Sequence, residues 1–153
     1  MKNLLKTLLN QLVGQKNYLE KYKGLRIKLV GIANSRKQLI DAAGIKIEKA
    51  IDLLNSVGDS ASLTGFVEQI KDLNLPNSIF ADCTASKEIH QHYLGLFEAN
   101  VSVVTPNKVA NSGPYEQYAA FHQTALSKGV KFLYETNVGA GLPVINTLQG
   151  LIA

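Results

Sequence analysis

The last third of the chain runs Val130-Lys131-Phe132-Leu133-Tyr134-Glu135-Thr136-Asn137-Val138-Gly139-Ala140-Gly141-Leu142-Pro143. Its first five residues predict a β-strand, and the glycines on either side of Ala140 predict a sharp bend. Pro143 then fits the first position of a helix. In an open parallel sheet, ligands bind at loops that leave the carboxyl ends of strands, so we expect chemistry at this loop.

Strand-like and helix-like segments alternate along the rest of the chain. Residues 26–33, 78–82 and 101–104 read as further strands. Helical patterns precede, separate and follow these strands, over residues 4–19, 45–56 and 63–75, after Ser86, after Gly113 and from Pro143. This order predicts right-handed crossovers and an α/β fold, a doubly wound and mostly parallel sheet with helices on both faces.

Composition favours one ordinary globular domain. The chain has 153 residues, of which 46% are hydrophobic and 18% charged, and this excludes the composition of a disordered protein. The net charge of +4 is local, because residues 1–30 hold seven Lys or Arg against Glu20 alone. No basic patch with interleaved aromatic residues is evident, so we expect no nucleic-acid partner.

Cysteine usage and hydropathy indicate the compartment. Cys83 is the single cysteine, so no disulfide can form within the chain and a reducing environment is expected. No apolar run approaches the roughly 18 residues that span a bilayer. We therefore expect a cytoplasmic protein with no membrane partner.

The segment Gly31-Ile32-Ala33-Asn34-Ser35-Arg36-Lys37 follows the strand that would contact an adenosine ribose in a dinucleotide-binding fold. An acidic residue at this turn would select the ribose hydroxyl of NAD, whereas an arginine accommodates the phosphate of NADP. Taken alone, Arg36 and Lys37 are better explained as a solvated surface turn.

The segment Asp82-Cys83-Thr84-Ala85-Ser86 joins a strand end to a helix start, where hydroxyls and amides can meet a cofactor. Capping of the helix by Thr84 or Ser86 is the simpler explanation without further context. We interpret Cys83 as a small buried residue and not as a nucleophile, because no histidine lies nearby in sequence.

Thr105-Pro106-Asn107-Lys108 places a lysine behind a rigid proline at the end of another strand. A lone surface lysine is usually only solvated. Here the glycine loop 139–142 follows the very next strand, and this combination favours a functional lysine that hydrogen-bonds a substrate carbonyl or a cofactor amide.

Four segments together resemble homoserine dehydrogenase, and most closely the form fused behind an aspartokinase in bifunctional enzymes. They are residues 31–36, 82–86, 103–108 and 132–145. Each is only suggestive, but jointly they are specific and cover nearly the whole chain.

The resemblance implies an enzyme that reduces L-aspartate 4-semialdehyde to L-homoserine with NADP or NAD, toward threonine and methionine. It implies that Lys108 contacts both cofactor and reacting carbonyl, and that Asn34, Ser35, Arg36, Thr84 and Ser86 bind the cofactor. A monovalent cation, expected to be sodium, is implied at Glu135 and the carbonyls of Val138, Ala140 and Leu142, an oxygen set that hard cations prefer.

The departures from the family imply a fragment. Lys2 and Leu5 stand where the family has the second and third glycines of its phosphate-binding turn, and a substrate domain is expected beyond the chain. We expect residues 1–137 to form an NAD(P)-binding domain that is incomplete at its N-terminus, and 138–153 to start a truncated substrate domain. Such a fragment is expected to be inactive. Its parent is expected to be a homo-oligomer that acts on a small molecule, and the resemblance to the bifunctional form implies a fused aspartokinase domain.

The sequence allows two ways to complete the sheet and more than one function. In the Rossmann strand order the missing strand is central, so strands 26–33 and 78–82 should pair directly, or another chain should fill the gap. A non-catalytic nucleotide-binding or sensory α/β domain is the alternative function, and a flavodoxin-like receiver ranks last because only Asp82 supplies acid at a strand end.

Overall fold

The computed structural model describes residues 2–152, with side chains described for residues 4–151. The chain divides into two compact units, one up to Leu73 and one from Asn74 onward. No helix in the described part of the chain is both long and apolar enough to cross a membrane. The elements of the first unit are α1 (Lys2–Lys23), β1 (Leu29–Ala33), β2 (Lys37–Ile45), α2 (Ala50–Val57), β3 (Asp59–Ser60) and α3 (Leu63–Asp72).

The first unit contains an antiparallel sheet of order β1-β2-β3. Its hairpin is closed by Asn34, whose side-chain oxygen accepts hydrogen bonds from the backbone N–H groups of Arg36 (2.8 Å) and Lys37 (2.9 Å). Such a local side-chain bond favours a turn over continued strand. The strand predicted over residues 26–33 ends at this turn as expected, whereas β2 was not predicted.

Apolar side chains of helix and sheet close the first unit. Leu9 of α1 is buried with Ile32 and Ile45 of the hairpin and with Ala50 and Leu54 of α2. The spacing of four residues between Ala50 and Leu54 puts both on one face of the helix. Burial of these apolar surfaces, and not the short β3, therefore stabilises the unit.

The second unit contains a parallel sheet of order β4-β5-β6 with helices between its strands. Because the strands are parallel, their carboxyl ends meet at one edge of the sheet. The elements of the second unit are β4 (Ile79–Ala81), α4 (Tyr93–Glu98), β5 (Ser102–Val104), α5 (Tyr115–Ser127), β6 (Phe132–Leu133) and α6 (Val144–Ile152). The second unit also has short 3-10 helices at Ile89–His92, Val109–Asn111 and Glu135–Asn137. The first unit has one at Ile47–Lys49.

An aromatic cluster forms the core of the second unit. Phe132 of β6 packs edge-on against Tyr93 and Phe97 of α4 and Phe121 of α5, with ring centroids 5.8, 5.6 and 5.7 Å apart. Such pairs each contribute about 0.5–1.5 kcal/mol beyond the burial of their surface. The cluster therefore holds α4 and α5 on one face of the sheet.

The α/β class and the parallel sheet at residues 79–133 confirm the predicted Rossmann-type fold. Direct pairing of strands 26–33 and 78–82 was wrong: β1 pairs with β2, and β4 pairs with β5. The helix expected to start near Ser86 begins at Tyr93, after a 3-10 turn. Filling of the gap by another chain, and the domain boundary at residue 137, stay predictions.

Candidate functional site

Asp82 lies at the carboxyl end of β4 and is only 1% exposed. Its Oδ2 accepts hydrogen bonds from Tyr93 Oη (2.6 Å), Thr105 Oγ1 (3.2 Å) and Asn107 Nδ2 (3.2 Å). Its Oδ1 accepts one from the backbone N–H of Thr84 (2.8 Å). The carboxylate therefore joins the loops that follow β4 and β5.

Thr84 and Ser86 form successive turns after β4. The Thr84 hydroxyl accepts from the N–H of Ser86 (3.0 Å), and the Ser86 hydroxyl accepts from the N–H of Glu88 (3.1 Å). In this arrangement each hydroxyl accepts a bond from the protein and keeps its own hydrogen to donate. Thr84 is exposed and Ser86 half-buried, so these donors can reach a ligand.

The loop after β5 is fixed around Asn107. Its amide nitrogen donates to the carbonyl of Ser86 (2.8 Å) as well as to Asp82, and its Oδ1 accepts from the N–H of Val109 (3.1 Å). Its own N–H donates to Thr105 Oγ1 (2.9 Å). Lys108 is the exposed residue next to this anchor, and its ammonium pairs with no carboxylate within residues 2–152.

The loop after β6 joins the same edge. Asn137 donates from its side chain to the carbonyl oxygen of Asn107 (3.4 Å), which links the β6 and β5 loops. The backbone then bends at Gly139 and Ala140, with φ of 71° and 51°. The structure thus brings together Thr84, Ser86, Lys108 and the loop that begins at Glu135.

The side chain of Glu135 points to α6. Its two carboxylate oxygens accept from the N–H groups of Ile145 (2.7 Å) and Asn146 (3.0 Å), where a helix start favours a negative charge. The carbonyl of Leu142 accepts from the N–H of Val144 (2.9 Å). These oxygens suit a hard monovalent cation in chemistry, but a cation would share Glu135 with the helix.

Asn34, Ser35 and Arg36 lie in the first unit, at the β1–β2 turn. The side-chain oxygen of Asn34 already caps this turn, whereas Ser35 and Arg36 are exposed. Arg36 keeps its backbone in place through its carbonyl, which accepts from the N–H of Ala61 (2.9 Å). The exposed guanidinium of Arg36 therefore extends from a backbone that is held in place by this hydrogen bond.

Burial shifts the titration of two groups beside Asp82. It raises the pKa of the Cys83 thiol, and the negative charge of Asp82 raises it further. Burial, followed by the hydrogen bond to Asp82, also holds the pKa of Tyr93 far above its ordinary value. Both side chains are therefore uncharged near neutral pH, and Tyr93 acts as a donor to the carboxylate.

Sequence reasoning missed four residues of this arrangement: Asp82, Tyr93, Asn107 and Asn137. A polar residue directly after a buried strand was visible at Asp82 and at Asn107. The role of Tyr93 was hidden, because its place in the apolar stripe of a helix predicts only core packing.

Comparisons with known proteins identify the family and the fold of the chain. A sequence model of the family described as homoserine dehydrogenase, NAD binding domain, matches residues 5–135. The chloroplastic bifunctional aspartokinase/homoserine dehydrogenase 2 of Arabidopsis thaliana is 38% identical over 147 residues, and the bifunctional enzyme of Buchnera aphidicola is 40% identical over 151. Each match covers 95% of this chain but only 16% and 18% of the relative, so the chain spans less than a fifth of their length.

Solved structures share the fold. The homoserine dehydrogenase of Thermoplasma acidophilum superposes with a TM-score of 0.67 at 21% identity, over 94% of this chain and 43% of that one. A hyperthermophilic archaeal homoserine dehydrogenase in complex with NADPH gives 0.69 at 20% identity, over 92% and 43%. On the match over residues 5–135, this chain belongs to the family of homoserine dehydrogenase NAD-binding domains.

Proposed function

We propose that this chain is the nicotinamide-nucleotide-binding part of an enzyme that reduces L-aspartate 4-semialdehyde to L-homoserine. The observation that carries the proposal is the buried Asp82, which gathers the Thr84–Ser86 and Thr105–Lys108 loops at the carboxyl edge of the parallel sheet. In α/β sheets this edge is where nucleotides bind. The family match and the NADPH complex of a solved relative support the choice of nucleotide.

The exposed ammonium of Lys108 is the group that would act on the substrate. Bound reduced nicotinamide supplies the hydride. Lys108 would donate a hydrogen bond to the carbonyl oxygen and stabilise the negative charge that grows on it. The hydroxyls of Thr84 and Ser86 would donate to polar groups of the nucleotide, which orients it.

Arg36 would bind the 2′-phosphate of NADP, because its guanidinium is exposed and the turn carries no acid. Titration of NADPH and NADH into Arg36→Ala tests this. A lost charge-assisted hydrogen bond should weaken NADPH binding about tenfold or more and leave NADH unchanged. Arg26→Ala is the matched control, since Arg26 is an exposed arginine of the same unit away from the turn; equal losses for both nucleotides would refute the role.

The 153-residue chain is proposed to bind a nucleotide without catalysing turnover, since it spans less than a fifth of the length of its bifunctional relatives. Purified chain should show no semialdehyde-dependent oxidation of NADPH, and measurable reduction would contradict this. A non-catalytic nucleotide-binding domain remains the second candidate. It would be favoured if the full-length protein bound NADPH but still reduced no semialdehyde.

A sodium ion at Glu135 and the carbonyls of Val138, Ala140 and Leu142 is part of the proposal. The oxygen-only set and the single negative charge support it. The line width of ²³Na should increase on adding the chain and should lose this increase in Glu135→Gln. Equal broadening by both proteins would place the ion elsewhere.

Two further proposals concern the whole protein. Both the plant and the Buchnera relatives are bifunctional with aspartokinase, which favours a fused kinase in the parent. A homo-oligomeric parent is proposed from family resemblance. Mass photometry of the full-length protein would test the oligomer, and sequencing its coding region would test the fusion.

A further inference from the structure

Within the described part of the chain, the negative charge of Asp82 has no cationic partner. The ion pairs among the described residues join Arg26 to Glu20 and Lys71 to Glu68, and neither involves Asp82. Burial of a carboxylate is costly unless hydrogen bonds replace its water. Here four donors do so, and three of them come from outside the carboxylate's own loop.

The three donors to Oδ2 approach it from two sides. Tyr93 Oη holds Oδ2 from the helix side at 2.6 Å, whereas Thr105 and Asn107 approach it from the loop that carries Lys108. Thr105 is itself 1% exposed and accepts the N–H of Asn107. The carboxylate thus fixes the residue directly before Lys108 through both the side chain and the backbone of that residue.

We infer that Asp82 is the positioning residue for Lys108: its carboxylate sets the relative placement of the Thr84–Ser86 hydroxyls and of the lysine loop. The inference rests on the proposed function for its consequence, which is nucleotide binding, but its geometry stands independently. Asp82 itself donates nothing and, at 1% exposure, is closed to solvent, so it acts through Thr105 and Asn107.

Isosteric substitutions test the inference in the 153-residue chain. Asp82→Asn keeps the shape of the side chain but replaces one carboxylate oxygen with an NH2 group, which cannot accept the hydrogen bonds of the donors that face it. Thr105→Val removes the bridging hydroxyl, and Thr105→Ser restores it. Tyr118→Phe is the matched control, because it deletes a hydroxyl bonded to Tyr134 (2.9 Å) and outside the bonds to Asp82.

The primary readout is the backbone ¹⁵N–¹H spectrum. Asp82→Asn should displace the amide resonances of both Thr84–Ser86 and Asn107–Lys108, although these lie on separate loops. Thr105→Val should displace Asn107 and Lys108, and Thr105→Ser should return them toward their original positions. Tyr118→Phe should leave these amide resonances unchanged, even if it lowers the melting temperature as much as the substitutions at Asp82 and Thr105 do. A general loss of stability would therefore not explain the displaced resonances.

Nucleotide affinity is the second readout. NADPH should bind Thr105→Val about tenfold more weakly, because a displaced Lys108 would lose about one charge-assisted hydrogen bond to the cofactor. Thr105→Ser should bind it within about twofold of the unsubstituted chain. Unmoved Lys108 and Asn107 resonances in Thr105→Val would overturn the inference, whether or not Asp82→Asn folds. If the unsubstituted chain fails to bind NADPH while the resonances move as expected, the proposed function fails and the positioning role stands.

Discussion

At the scale of single residues, Cys83 shows how the site's charge acts on a neighbour. Burial raises the pKa of its thiol first, and Asp82 raises it further, so little thiolate forms near neutral pH. We expect the folded chain to react with iodoacetamide at pH 8 several times more slowly than the chain in urea. Asp82→Asn should react faster than the original at the same pH, and equal rates would show that the carboxylate has no influence on the thiol.

His122 predicts a pH dependence of stability. Its Nε2 lies 3.0 Å from Tyr134 Oη, and burial lowers its pKa. The unfolded chain then binds a proton more readily than the folded one, so stability is full above the unfolded pKa of about 6.5 and is lost as pH falls below it. Between pH 7.5 and 5.5, the melting temperature of the unsubstituted chain should fall more than that of His122→Gln. Equal falls in both proteins would show that His122 is not the source of the pH dependence.

Some residues of the site can be predicted from local sequence patterns, whereas the roles of others depend on contacts that only the tertiary fold creates. Lys108 follows a proline at a strand end, which is a local pattern. The position of Asp82 at a strand end is visible in the sequence, but its role depends on burial and on hydrogen bonds to residues 11, 23 and 25 positions away. Such contacts depend on the tertiary fold, so no local pattern at Asp82 contains them.

At the scale of elements, β2 was missed because its residues are poor evidence for a strand. Lys37–Ile45 contains two alanines, an aspartate and a glycine, which strands disfavour. The strand forms because the turn at Asn34 directs it back along β1 and because Ile45 is buried in the core. The parallel strands, by contrast, were located within about two residues, since their apolar runs are short and bounded by turns.

Two side chains of α3 approach Gly31 of β1 closely. A Cβ atom there would lie 2.6 Å from Ile70 Cδ1 and 3.1 Å from Phe66 Cζ. Gly31→Ala should therefore destabilise the chain by about 1–3 kcal/mol, as overpacking does. Gly14→Ala is the control: it meets nothing within 4 Å on α1 and should stabilise by up to about 1 kcal/mol. Urea denaturation measures both, and a neutral Gly31→Ala would mean that the side chains of Ile70 and Phe66 move aside at little cost.

At the scale of the whole molecule, the elements of the second unit cover one face of its parallel sheet and leave the other face uncovered. Phe80, Val103 and Phe132 are buried, whereas their strand neighbours Ile79 and Leu133 are 70% and 51% exposed. Parallel sheets in α/β proteins are normally covered on both faces. Alternation along the strands places the exposed apolar residues Ile79, Val104 and Leu133 together on the uncovered face.

An exposed apolar sheet face should make the isolated chain associate with itself, because burying it releases about 25 cal/mol per Å². Sedimentation velocity should show a mass that rises with concentration above the 16.6 kDa of one chain. The double variant Ile79→Lys with Leu133→Lys should remain at that mass. Leu126→Lys is the matched control, since Leu126 is 83% exposed on α5 and away from the sheet, and it should associate as the original does. Association that persists in the double variant would mean that another surface drives it and that this sheet face is tolerated in water.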